Sequence, residues 1–163
     1  MQQSQHHNGE MDDPAMMRRH YWLLALNLAI SLAIMYFVMF AMINSLGEFI
    51  QNVNFFYMAL VMWAPMGAIM LATMGGMYRN RKLNAALYVA FAAIFVLSLV
   101  GIRQQSLVGD DQFLRSMIPH HSGAILMCEE AKLTDPEIRQ LCGEIIQAQK
   151  DEIAQMKRIM GRH

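Results

Sequence analysis

The sequence predicts an all-α membrane protein, with three transmembrane helices followed by an extracytoplasmic antiparallel helical hairpin. Three observations carry that reading. Tyr21–Ile43, Phe55–Met77 and Leu83–Ile102 contain no charged residue, and each is about the length needed to cross ~30 Å of hydrocarbon as a helix. Charged residues make up 16% of the 163-residue chain, against about a quarter in an ordinary soluble domain. Beyond Gly109 the pattern changes to two charged, amphipathic stretches separated by Thr134-Asp135-Pro136, a combination that closes one helix and opens the next. A formal net charge of zero argues against nucleic acid, a partner that calls for a basic surface.

Residues 1–20 are polar, with Gly9, Pro14 and no apolar period, so a disordered tail is expected. His6, His7, Met11, Met16, Met17 and His20 offer loose metal donors there, but the preferred reading is a flexible tail whose Arg18 and Arg19 hold the membrane edge. The run from Tyr21 is too long for the apolar region of a signal peptide, lacks an A-x-A-like site and is followed at once by a second span. It reads as an uncleaved helix. The transmembrane domain is thus 21–102, with spans 21–43, 55–77 and 83–102.

Orientation follows from lysine and arginine in the short loops. Arg18 and Arg19 precede the first span, the loop Asn44–Asn54 has no basic residue, and Tyr78–Lys82 carries Arg79, Arg81 and Lys82. The N-terminus is therefore expected in the cytoplasm and everything after Ile102 outside it. In a Gram-negative source that means an inner-membrane protein with a periplasmic hairpin. Tyr21, Trp22, Phe55, Phe56, Tyr57 and Tyr78 fall at span ends, where aromatic rings favour the interface.

Methionine is heavily used, with 17 in the chain. Met58, Met62, Met66, Met70 and Met74 recur every four residues in the second span, and Met35, Met39 and Met42 form a shorter row in the first. At ~100° per residue such a row winds slowly round its helix. Thioether rows pass soft cations or simply fill irregular gaps, and packing is the preferred reading. Pro65 is expected to kink its helix. Ala68-x3-Ala72-x3-Gly76 and Ala86-x3-Ala90 are small-residue rows suited to close helix contact.

After a connector at 103–109, Asp110 or Asp111 offers an N-cap for a helix running to about Leu133. Asp135 caps the next, with Pro136 in its first turn, and that helix runs to about Met160. The hairpin, 110–163, is too small to bury a core alone.

The chemistry lies in this hairpin. His120 and His121 follow Met117 by three and four residues, so Met117 lies angularly between the two imidazoles. Met127 falls seven residues after His120. On the second helix Cys142, Gln149 and Met156 recur every seven residues, with Glu152 between them. Folding about Thr134–Asp135 by equal counting sets His120 opposite Gln149, Met117 opposite Glu152 and Met127 opposite Cys142. Imidazole beside thioether suits a soft or borderline metal, copper first. The alternative is that the histidines are hydrogen-bonded to Gln149 and Glu152 while the methionines pack. A di-iron centre is disfavoured because no Glu-x-x-His pair is present, and structural zinc would want more thiolates or a third histidine. Cys128 and Cys142 lie almost equidistant from the turn, and a disulfide between them is preferred over extra ligands or free thiols.

The pieces F-L-R-S-M-I-P-H-H-S-G-A-I-L-M, P-E-I-R-Q-L and I-I-Q-A-Q-K-D-E-I-A-Q-M resemble the domain of unknown function 305 family over about Asp111–Met160. The resemblance implies a ferritin-like helical bundle and, as in some members, copper binding outside the cytoplasm. It places Met117, His120, His121, Met127, Gln149, Glu152 and Met156 at the signature positions. Many family domains close a four-helix bundle from two hairpins in one chain, whereas this chain has one. Two chains are therefore expected to pair as a homodimer, with metal near or across the interface. Cys128 and Cys142 stand where the family more usually has small apolar residues.

The function expected is copper binding, as Cu(I) or Cu(II), for tolerance or handling at the membrane. His120, His121 and Met117 would be primary ligands, Met127 and Met156 secondary, with Gln149 and Glu152 behind them. A transporter using the methionine rows, and a metal-free membrane oligomer assembled by the hairpin, are the alternatives. No nucleophile–base pair, phosphate loop or nucleotide fingerprint appears, so no enzyme is expected.

Overall fold

The computed structural model describes residues 14–162; the tail expected at 1–13 lies outside them. Five α-helices follow in order: α1 (Pro14–Val38), α2 (Val53–Thr73), α3 (Arg81–Gln104), α4 (Asp110–Glu130) and α5 (Pro136–Met160). Two short 3-10 turns, Met39–Met42 and Leu46–Glu48, lie between α1 and α2. The described residues are all-helical, without strands. Three helical stretches, Ala15–Met42, Val53–Thr73 and Arg81–Gln104, are long and apolar enough to cross a membrane.

The first helix starts at Pro14, so residues 14–20 are helical rather than tail. Proline is pre-set for a first helical turn, and Arg18 and Arg19 therefore stand on α1 itself. The chain divides into two compact units. One comprises Met58–Val100 with the described residues through Met35, and the other comprises Tyr36–Tyr57 with the residues from Gly101 onward.

In the span unit, Leu24, Leu28, Ala64, Leu71, Tyr78 and Phe91 form the buried core, with Trp63, Met66 and Met70 packed against it. The close approach is made at Ala64 and Gly67. A Cβ on Gly67 would lie 2.7 Å from the Phe91 ring and 3.2 Å from Leu28. Of the small-residue rows read from sequence, Ala68 packs on this core. Gly76 faces open space, and Ala72, Ala86 and Ala90 are exposed. The inward face of the helix runs through Ala64, Gly67, Ala68 and Leu71, towards Leu28 and Phe91.

Several polar side chains in this unit bond across its helices. Trp63 Nε1 donates to the Leu28 carbonyl at 2.7 Å. Tyr21 Oη donates to Asn84 Oδ1 at 2.7 Å, and Asn84 Nδ2 donates to the Tyr78 carbonyl at 2.6 Å. The methionine row of α2 winds as its spacing dictates: Met66 and Met70 pack on the core, while Met58, Met62 and Met74 are exposed. Within one chain the row does not share a single face.

The second unit holds the hairpin. Leu114, Ile118, Ile125, Ile153 and Met156 form its buried core, with Met117, Ile146, Ile159 and Ile50 packed around them. Asp135 caps α5, accepting from the Glu137 and Ile138 amides at 2.8 and 3.2 Å, and Pro136 opens that helix. At the start of α4 the expected aspartate cap is absent. Gly109 is the N-cap without a side-chain bond, and Asp111 instead pairs with Arg115 at 2.6 Å. This helix ends at Glu130, where Ala131 turns extended.

Between α3 and α4, Gln105 and Leu107 adopt positive φ of 51° and 62°. Gln105 thereby closes α3 in a left-handed C-terminal turn, the Ser106 amide donating to the Gly101 carbonyl at 2.9 Å. Gly101 lets the Tyr57 ring approach closely, to 3.0 Å from where a Cβ would stand.

Candidate metal site on the hairpin

The site is built from two helices tied at their turn-proximal ends. A disulfide joins Cys128 of α4 to Cys142 of α5, with Cα atoms 5.3 Å apart. Pro119 lies inside α4, buried, immediately before the histidines. A proline there removes one backbone bond from the helix.

His121 turns towards α5. Its Nδ1 lies 2.9 Å from Glu152 Oε2, yet that buried nitrogen has no aligned hydrogen-bond partner. The two are close in space but out of line for a straight N–H···O bond, which is how far the contact goes. Glu152 also accepts a long bond from Gln149 Nε2 at 3.4 Å, and its side chain is half exposed. Met117, one turn before His121, packs on the cluster that includes Met156 of α5. One chain therefore brings an imidazole, a carboxylate, an amide and two thioether side chains to neighbouring positions on α4 and α5.

His120 is placed differently. Its ring is exposed and stands 6.2 Å from the His121 ring, edge to face. Met127 is 59% exposed, so it does not join Met117 and Met156. Equal counting from the turn set Met117 against Glu152, whereas in the structure His121 is the residue that reaches it. Side chains lean towards the N-terminus of their own helix, and on antiparallel helices that shifts the meeting level by about a turn. Among the described residues, no three His, Cys, Asp or Glu side chains converge as a metal-binding group.

Two faces of the hairpin differ in what covers them. One is held by the first loop. Ser122, fully buried, donates to Glu48 Oε2 at 2.5 Å and accepts from the Asn44 amide at 2.6 Å. Glu48 Oε1 lies 3.6 Å from Lys157 Nζ, and Gly123 packs against the Met42 carbonyl. Glu48, Asn44, Ser122 and Lys157 were not singled out from sequence. The available signals were Glu48 as the loop's one acid and the small pair Ser122-Gly123 directly after the histidines.

The other face is uncovered. Phe113, Met117, His120, Ala124 and Met127 recur at steps of four and three, the spacing of a helix seam. Phe113, His120 and Met127 are exposed, and Met117 and Ala124 are half-buried. On α5, Ile138 and Leu141 are exposed, and Ile145 continues them half-buried. His121 and Glu152 meet in the groove between α4 and α5.

Fold and site together define an all-helical protein with three membrane-competent helices and a disulfide-tied hairpin carrying an M-x-x-H-H constellation. The family model described as a domain of unknown function (DUF305) matches residues 64–160, more than half of the chain, and the protein belongs to that family. The match reaches well beyond the 111–160 stretch whose motifs resemble it, back into α2. The chain is 33% identical over 121 residues to an uncharacterized protein of Acanthamoeba polyphaga mimivirus, covering 72% of this chain and 76% of the relative. No solved structure matches.

Proposed function

We propose that this protein is a membrane-anchored metal-binding protein that holds copper at its hairpin, for copper tolerance or handling outside the cytoplasm. The observation that carries the reading is His121. Its Nδ1 faces the Glu152 carboxylate at 2.9 Å, the arrangement that orients an imidazole whose other ring nitrogen takes a metal. The ring stands one turn from Met117, across from Glu152 and beside the cluster containing Met156. Nitrogen, thioether and carboxylate donors suit copper in either oxidation state. His121 and Met117 are the first ligands in this reading, His120 is the next, and Met156 stands behind them. Gln149 and Glu152 orient the imidazole. Met127, being exposed, is a ligand only through a second chain.

That second chain is part of the proposal. The uncovered seam on α4 with Ile138, Leu141 and Ile145 on α5 is where two further helices of a ferritin-like four-helix bundle would sit. A homodimer related by a twofold would cover it with its own copy and bring His120 and Met127 from solvent into an interface. The three membrane-competent helices anchor the assembly. The basic residues at 18, 19, 79, 81 and 82 set its N-terminus in the cytoplasm and its hairpin in the extracytoplasmic space, the periplasm of a bacterial inner membrane.

Elemental analysis of the full-length protein, purified without added metal and again after copper exposure and dialysis, tests this. Copper is expected to be retained by the parent and lost in a His120→Ala, His121→Ala double variant that keeps its helical signal. Equal copper in parent and variant would overturn the proposal.

A further inference from the structure

A groove lies on the span unit at the first turns of α1 and α3. Met17, Arg18, Tyr21, Trp22 and Ala25 line it from α1, with Asn80 and Leu83 from the start of α3, enclosing about 470 Å3. Its walls are fixed rather than incidental. Tyr21 is held to Asn84 by its hydroxyl and packs against Tyr78 with tilted rings, centroids 5.3 Å apart. Trp22 lines the groove while being 74% exposed.

Among the described residues of this unit the charge is one-sided. Residues 14–35 and 58–100 contain no Asp or Glu, yet Arg18, Arg19, Arg81 and Lys82 all fall at these helix starts. Arg18 itself lines the groove, and Asn80 offers a neutral amide at the same rim. An apolar trough ending in a guanidinium is complementary to an amphiphile with an anionic head. In hydrocarbon and headgroup surroundings the available molecule of that kind is a phospholipid. Arginine suits it through paired N–H donors on phosphate oxygens. We propose that this groove is a binding site for an anionic phospholipid, with its phosphate on Arg18 and Asn80 and an acyl chain along Met17, Trp22, Ala25 and Leu83. The site is independent of the copper reading.

Trp22 supplies the readout. The full-length protein is reconstituted in vesicles containing either brominated phosphatidylglycerol or brominated phosphatidylcholine, and the Trp22 signal is taken as the difference between the parent and a Trp22→Phe variant. Quenching by the brominated phosphatidylglycerol is expected at about fivefold lower mole fraction, the weight of one cation facing an anionic headgroup. Arg18→Gln is expected to erase that preference while leaving thermal unfolding in detergent unchanged. Ala25→Phe, which fills the apolar end, is expected to weaken quenching by both lipids. Equal quenching by the two lipids in the parent, or a preference untouched by Arg18→Gln, would overturn the proposal. So would loss of the preference on adding inorganic phosphate, which would make this a free-anion site. A preference seen only after Glu10, Asp12 and Asp13 are neutralised would assign the groove to the chain's own tail and equally refute it.

Discussion

The span unit and the hairpin unit solve the same problem with different materials. The span unit buries a small set of groups, chiefly Leu24, Leu28, Ala64, Leu71 and Phe91, and leaves large apolar side chains outside, among them Trp22 at 74%, Val89 at 70% and Leu97 at 69%. Surface of that kind is what hydrocarbon demands. Its specificity comes from close approach, at Gly67, and from a few hydrogen bonds between its helices. The hairpin unit buries Leu114, Ile118, Ile125 and Ile153 but encloses them in charge: Lys150 on Glu129 at 3.0 Å, Arg115 on Asp111, and Glu48 between Ser122 and Lys157. One unit is organised by fit between small and aromatic residues, the other by a narrow apolar core, a polar clasp and a covalent tie. Substitutions should therefore fail for different reasons in each.

The largest expected loss is in the hairpin core. Ile118→Ala, at a position with no exposure, should cost about 2–5 kcal/mol. Amide hydrogen exchange in α4 and α5 should report it, with α2 amides changing less. Loss of the disulfide by Cys128→Ser with Cys142→Ser should cost ~3 kcal/mol, as expected for a loop of about 15 residues. Thermal unfolding in detergent would measure this, and reduction of the parent should reproduce it. A mobility change on reduction that the double serine variant lacks would verify the tie itself.

In the span unit the corresponding test is Gly67→Ala. The added Cβ meets a rigid aromatic ring, and overpacking of this kind costs about 1–3 kcal/mol. Gly76→Ala, which meets nothing within 4 Å, should leave the melting temperature unchanged. Ser122→Ala comes next, at about 1–3 kcal/mol, because it strips a partner from both the Glu48 carboxylate and the Asn44 amide. Lys150→Ala should cost less than Ser122→Ala. Its partner-exposed pair should contribute below about 1 kcal/mol and disappear in high salt. If Lys150→Ala proved as damaging as Ser122→Ala, the distinction between polar clasp and polar surface would fail.

The all-helical course and the three membrane-competent helices were legible because uncharged runs of that length have few other uses. The family was legible from M-I-P-H-H and the downstream Q-x-x-E-I-x-x-M, although its match extends further than those motifs. The turn at Asp135-Pro136 was legible because capping chemistry is local. Other features were not. The face α2 turns inward depends on Phe91 and Leu28, residues of other helices, and the small-residue spacing found Ala68 on that face but carried the row on to Ala72 and Gly76, which are exposed. The start of α1 was hidden because Pro14, Arg18 and Arg19 read as tail until apolar residues follow. The clasp between Ser122 and Glu48 spans 74 positions, a separation no periodicity encodes. The register across the hairpin was counted on backbone levels, while contact is made by side chains that lean towards their own N-termini, which is why His121 rather than Met117 reaches Glu152.

Copper K-edge absorption of the copper-loaded full-length protein is the most direct test of the hairpin site. The account expects nitrogen and sulfur in the first coordination shell, with the sulfur contribution reduced in Met117→Leu and the nitrogen contribution reduced in His121→Ala. A shell of oxygen and nitrogen alone, unchanged by either substitution, would contradict it.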